Sequence, residues 1–127
     1  MDPKKWGRCP WSYQLSKDKI HPEDLEKFST LHGSFVVYEY IETDGDYIII
    51  KWGNYTFRVK PDIFKEVKEP KYKIGDTVKI KGMDAIICLN EWHDEKKEHY
   101  YFVTINGKRK SRRYFESELT SMELQNP

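Results

Sequence analysis

The chain predicts a mainly β fold: two small β-barrels in tandem, with a short helix near the N-terminus. Three observations predict it. A frame of strand, tight turn, strand, glycine turn and strand, closed by an acidic–apolar step, occurs twice, over residues 33–67 and 75–124. Apolar residues in these stretches recur with period two rather than 3.6. Four Trp, nine Tyr and six Phe among 127 residues supply much apolar area from few positions, which suits small barrels with thin cores. This architecture serves binding more often than chemistry.

Residues 1–33 read as an N-terminal arm and short helix packing on the first barrel, 34–70 as the first barrel, and 71–127 as the second. The arm holds Trp6, Trp11 and Tyr13, too many large rings to leave in solvent, so it is expected to be ordered. His21 to Phe28 predicts the helix. Pro22 suits its first position, where a missing N–H costs nothing, and Glu23 and Asp24 favour the positive end of the helix dipole. His21 and His32 bracket it and read as capping or packing residues.

From Ser34 the period changes to two. Thr43-Asp44-Gly45-Asp46 reads as a hairpin turn into Tyr47–Trp52, and Gly53-Asn54 turns into Tyr55–Val59. Pro61-Asp62-Ile63 predicts one helical turn and 65–67 a short return strand. Lys68-Glu69-Pro70 marks the boundary, because proline ends a ladder. In the second unit Val78 and Ile80 are expected to face inward. Ala85–Asn90 and His99–Ile105 are expected as strands separated by a mobile polar loop from Trp92 to Glu98. Asn106-Gly107 turns into a returning basic strand, Lys108–Arg113. Tyr114–Leu119 reads as a helical turn, with Met122 and Leu124 in a last strand.

The run Ile74-Gly75-Asp76-Thr77-Val78 and the closing Phe115-Glu116-Ser117-Glu118-Leu119 resemble the SH3-like barrel family over residues 72–124. The resemblance implies that Gly75 permits a sharp turn, Asp76 accepts backbone N–H groups, and Leu119 plugs the barrel's open end. It implies fold more than function. The whole chain also resembles small uncharacterised bacterial proteins through Pro10-Trp11, His21-Pro22-Glu23-Asp24-Leu25 and Phe57-Arg58-Val59-Lys60-Pro61. No activity is implied by that likeness.

Charge is nearly balanced, with 22 basic and 21 acidic side chains. Residues 21–70 are acidic, with six basic against ten acidic groups, and residues 71–127 carry eleven basic against nine acidic. That balance argues against a general nucleic-acid binder and leaves local patches open. Cys9 and Cys88 are far apart and read as reduced thiols of a cytoplasmic protein. No apolar run approaches the roughly 20 residues of a membrane span, so no membrane partner is expected, and the protein is expected to be a monomer.

No nucleophile motif, phosphate loop or dinucleotide fingerprint is present. His93, Asp94, Glu95 and His99 lack zinc spacing, and Asp44, Asp46 and Asp62 lack calcium-loop spacing. No catalytic residue, metal or cofactor is therefore expected. The expected function is a non-enzymatic interaction module that binds a protein or peptide through Trp52, Tyr55, Trp92 and Tyr100. The alternative is RNA or single-stranded DNA binding through Lys108, Arg109, Lys110, Arg112 and Arg113, with Trp92, Tyr101 and Tyr114 as stacking surfaces. Against it stands an edge strand kept soluble by cations.

Overall fold

The computed structural model describes residues 5–31, 33 and 35–125. His32 and Ser34 therefore lie outside the described residues. The chain is mainly β and divides into two compact units, residues 1–69 and 70–127. Each contains one antiparallel sheet. The sheets run as open ladders, so neither closes into a ring among the described residues.

In the first unit, β1 (Trp6–Arg8), β2 (Val37–Asp44), β3 (Tyr47–Trp52), β4 (Tyr55–Val59) and β5 (Lys65–Val67) stand in the order β4-β3-β2-β1-β5. The N-terminal segment does not lie over the sheet as an arm. Trp6–Arg8 enters it, pairing with β2 on one side and β5 on the other. Gly7 is required there, because a Cβ would meet the Lys65 carbonyl oxygen at 2.7 Å and the Phe64 ring at 2.6 Å. The β2–β3 hairpin turns at Gly45-Asp46. A bulge between Tyr40 and Glu42 shifts the phase of β2 and leaves Ile41 exposed.

The helical elements of this unit are α1 (Tyr13–Ser16), a 3₁₀ turn at Lys17–Lys19, and α2 (Leu25–Leu31). The helix thus starts later than its sequence signals. Residues 22–24 form a turn instead, and His21 caps it by accepting the Glu23 N–H on Nδ1 at 3.1 Å. A second 3₁₀ turn, Pro61–Ile63, precedes β5. Phe28 is the centre of the core. Its ring meets Trp11 at 5.2 Å, Phe57 at 5.2 Å and Tyr38 at 6.0 Å.

Residues 19–21 cover the free edge of β4. His21 N–H donates to the Arg58 carbonyl, Lys60 N–H donates to the Lys19 carbonyl, and Ile20 bridges Val59. Covering an edge in this way prevents strand addition by another chain. Asp24 locks the arrangement. Its Oδ2 accepts the Arg58 backbone N–H at 2.8 Å and Nε at 2.9 Å, while Oδ1 accepts Nη2 at 3.2 Å. Burial alone would raise the Asp24 carboxyl, but the Arg58 side-chain and backbone bonds hold it below its ordinary 3.8. A carboxylate held low stabilises the fold above its unfolded pKa, and that contribution fades as pH falls through the lower folded value. The first unit is therefore expected to lose stability below about pH 4, and Asp24→Ala, worth about 2 kcal/mol at neutral pH, should flatten that acid limb in thermal melts.

In the second unit, β6 (Thr77–Ile80), β7 (Met83–His93), β8 (Glu98–Ile105) and β10 (Tyr114–Phe115) stand in the order β10-β8-β7-β6, and β9 (Lys108–Arg109) also pairs with β8. Asp76 works as the resemblance implies, its Oδ2 accepting the Lys73 N–H at 2.8 Å. Asn106 and Gly107 both take positive φ, +53° and +77°, as a two-residue hairpin of right-twisting strands requires. The chain closes not with a strand but with α3 (Glu116–Gln125), which overturns the expected strand at Met122 and Leu124. Glu118 Oε1 accepts the Phe115 N–H at 3.0 Å, the reach-back half of a capping box. Tyr72, Val78, Ile80, Ala85, Ile87, Tyr101, Val103, Ile105, Tyr114 and Leu119 form the core of this unit.

Candidate functional site

The four aromatics expected to bind a partner fall in different environments. Trp92 and Tyr100 are buried, at 7% and 8% exposure, which corrects the expectation that they present accessible faces. β7 runs on through His93 and β8 starts at Glu98, so the supposed loop shrinks to residues 94–97. Trp92 consequently lies inside a ladder, opposite His99. His99 is itself buried, with Nδ1 3.2 Å from the Asn90 amide nitrogen and its ring 4.9 Å from Trp92. Trp92 and His99 are thus a packed pair inside the ladder rather than residues flanking a flexible loop. Among the described residues no group of three or more His, Cys, Asp or Glu is placed to hold a metal ion.

Trp52 and Tyr55 sit at the end of the β3–β4 hairpin, stacked at 6.0 Å with 15° between ring planes. Trp52 is half-buried and its Nε1 is enclosed. Tyr55 is 39% exposed. With Lys27, Leu31, Glu23, Glu26 and Thr30 it lines an open groove of about 470 Å³ along α2, and Lys27 Nζ lies 5.1 Å from its ring.

The basic run also departs from its expected form. Only Lys108 and Arg109 form a strand, and residues 110–113 are irregular until β10 begins at Tyr114. Arg109, opposite Thr104, and Arg113 reach the outer face, whereas Lys108 stands opposite the core residue Ile105 and Arg112 lies over the core ring of Tyr114, so the run divides between two sides as its alternation predicts. All five are exposed, and three reach over rings. Arg109 Cζ lies 5.3 Å from the Phe102 centroid, Arg112 Cζ 4.5 Å from Tyr114, and Arg113 Cζ 5.1 Å from both Tyr100 and Phe115. Lys96, on the 94–97 turn, joins them with Nζ 4.3 Å from Phe115.

The strand phase explains why these rings lie together. His99, Tyr101, Val103 and Ile105 point into the core, so Tyr100, Phe102 and Thr104 point to the outer face. Phe115 pairs opposite Tyr100 and shares that face. Ring centroids step 6.1 Å from Phe102 to Tyr100, 5.7 Å on to Phe115, and 5.6 Å from Phe115 to His93. Tyr100 is enclosed by its neighbours, and burial with Glu91 beside it pushes its phenol up to about 12. Phe102 and Phe115 remain half-buried. Tyr101 and Tyr114, expected as stacking surfaces, are core residues instead. The Tyr101 hydroxyl donates to Glu116 Oε2 at 2.7 Å.

Three nearby acids are occupied. Glu118 pairs with Arg112 at 3.1 Å, Glu98 Oε1 accepts the Ser117 N–H at 2.8 Å, and Glu116 accepts Tyr101 and the Lys71 N–H. Among the described residues, Lys96, Lys108, Arg109, Lys110 and Arg113 have no carboxylate at ion-pair distance. Neither cysteine offers a reactive thiolate. Burial pushes Cys9 up to about 12 and raises Cys88 as well.

Fold and surface together define a mainly β protein of two small units, the second carrying a cation–aromatic face. The chain belongs to a family described only as one of unknown function (DUF6960), whose model matches residues 1–120. No curated protein and no solved structure matches it. No helix among the described residues is long and apolar enough to cross a membrane.

Proposed function

We propose that the protein is a non-enzymatic interaction module and that its binding surface is the outer face of the second sheet, where it takes an anionic partner. One observation carries this reading: three exposed cations without carboxylate partners, Lys96, Arg109 and Arg113, are gathered around a row of rings on a single face. Unpaired cations held over apolar rings keep their charge available to a ligand, and the neighbouring rings add contact area and cation–π attraction. In the first unit, the strand order and the 3₁₀ turn before β5 support an SH3-like reading. In the second, α3 stands where that pattern has its last strand. The free cysteines support a reducing, cytoplasmic setting, and the resemblance to bacterial proteins supports a bacterial one.

The protein is expected to be retained on heparin at low salt. The triple variant Lys96→Ala, Arg109→Ala, Arg113→Ala should elute at clearly lower salt, with the salt slope of binding reduced by about one for each cation removed. Identical elution of the two proteins rejects this surface.

A second reading, a peptide docked at Tyr55, is favoured by the groove along α2. It keeps only Tyr55 and Trp52 of the four aromatics first expected there.

A further inference from the structure

We infer that the anionic partner of the second unit is a single-stranded nucleic acid, with bases stacked on Phe102 and Phe115 and phosphates held by Arg109, Arg113 and Lys96. The inference rests on the proposed binding face and goes beyond it by naming the ligand's chemistry. Charge complementarity alone admits any polyanion. What narrows the choice is the interleaving of charge and ring: each half-exposed ring has a cation within 4.3 to 5.3 Å of its centroid. A nucleotide presents the same pair, a flat π-face joined to a phosphate, at one repeat per residue. An acidic peptide presents carboxylates with no π-face, so half of the arrangement would go unused.

The strand geometry sets the order. Phe102 and Phe115 flank the enclosed Tyr100, which acts as the floor between two platforms. Both guanidinium groups already lie over rings, and a base can stack on a guanidinium plane as well as on the ring beneath. Duplex DNA is disfavoured, because its bases are already stacked and this sheet presents no element that enters a groove. Glu91, opposite Tyr100, limits the face on the β7 side, confining the phosphate path to the β9–β10 side.

Fluorescence anisotropy tests this with labelled dT10 and rU10 as the two single-strand arms, and with a duplex and a ten-residue glutamate peptide as controls. At low salt both single strands, or one of them, should bind at least tenfold tighter than either control. Phe102→Ala with Phe115→Ala should weaken that binding about fivefold or more per ring, a larger loss than the same variant shows in heparin retention. If the alanine variant loses its fold by circular dichroism, Phe102→Leu with Phe115→Leu keeps the apolar volume and removes the π-faces. Heparin retention without single-strand preference, or ring variants that bind dT10 and rU10 as the wild type does, overturns the nucleic-acid assignment alone. Loss of both heparin and oligonucleotide binding in the wild-type protein overturns the binding face itself.

Discussion

Phe28→Ala is expected to lower the stability of the first unit by about 3–5 kcal/mol, the range for removing a fully enclosed aromatic ring. Phe28 is 0% exposed and meets Trp11, Tyr38 and Phe57 edge-on or stacked. Deleting it leaves a void between α2 and the sheet, because Tyr38 and Phe57 are fixed by their own ladders. A unit of about 70 residues has a total stability of only several kcal/mol, so the change should leave it close to unfolding at room temperature. Amide hydrogen exchange locates the effect: Ile50 and Phe57 should lose most of their protection. A loss below about 1 kcal/mol would show that the core is centred elsewhere.

Leu119→Ala is expected to cost the second unit about 2–5 kcal/mol. Leu119 is 0% exposed and is the residue through which α3 enters, among the described side chains, a core shared with Tyr72, Ile80 and Tyr101. Its loss should release α3, and with it the Glu116 carboxylate that accepts from both the Tyr101 hydroxyl and the Lys71 N–H. Burial and Glu116 raise the Tyr101 phenol above its ordinary value, so freeing α3 should bring its titration back toward 10, visible in the ultraviolet absorbance of tyrosinate. Unchanged titration together with unchanged melting would contradict the anchoring role.

Hairpin chemistry was legible in the sequence. Asn106-Gly107 turns where its residue types require, the first hairpin turns at Gly45-Asp46, one residue past its Asp-Gly signal, with Gly45 supplying the positive φ, and the mainly β character with two sheets follows from period-two patterning. Three features were not legible, each for a physical reason. Trp6–Arg8 is too short to show alternation, and only pairing on both sides makes it a strand. The bulge between Ile87 and Leu89 shifts the phase of β7, so no count from Ala85 gives the correct side for Trp92. Residues 116–125 hold apolar groups at 119 and 122, a spacing that fits a helix, yet the expectation of a final barrel strand outweighed it.

The candidate site shows the same pattern. The basic cluster stands out in the sequence, but its geometry comes from a strand that breaks after Arg109 and resumes at Tyr114. Phe102 and Phe115 were not among the expected binding residues, although the alternation His99-Tyr101-Val103-Ile105 already assigns Phe102 to the outer face. The signal was present in β8. Phe115 gives no such signal, because its side is set only by its pairing opposite Tyr100.

The most direct test of the central claim is an amide NMR titration of the whole protein with dT10 at low salt. The account predicts shifts confined to β8, β9, β10 and the 94–97 turn, largest near Phe102, Arg109, Arg113 and Phe115, and reversed by added salt. Shifts centred on Tyr55 and α2, or none at all, would contradict it.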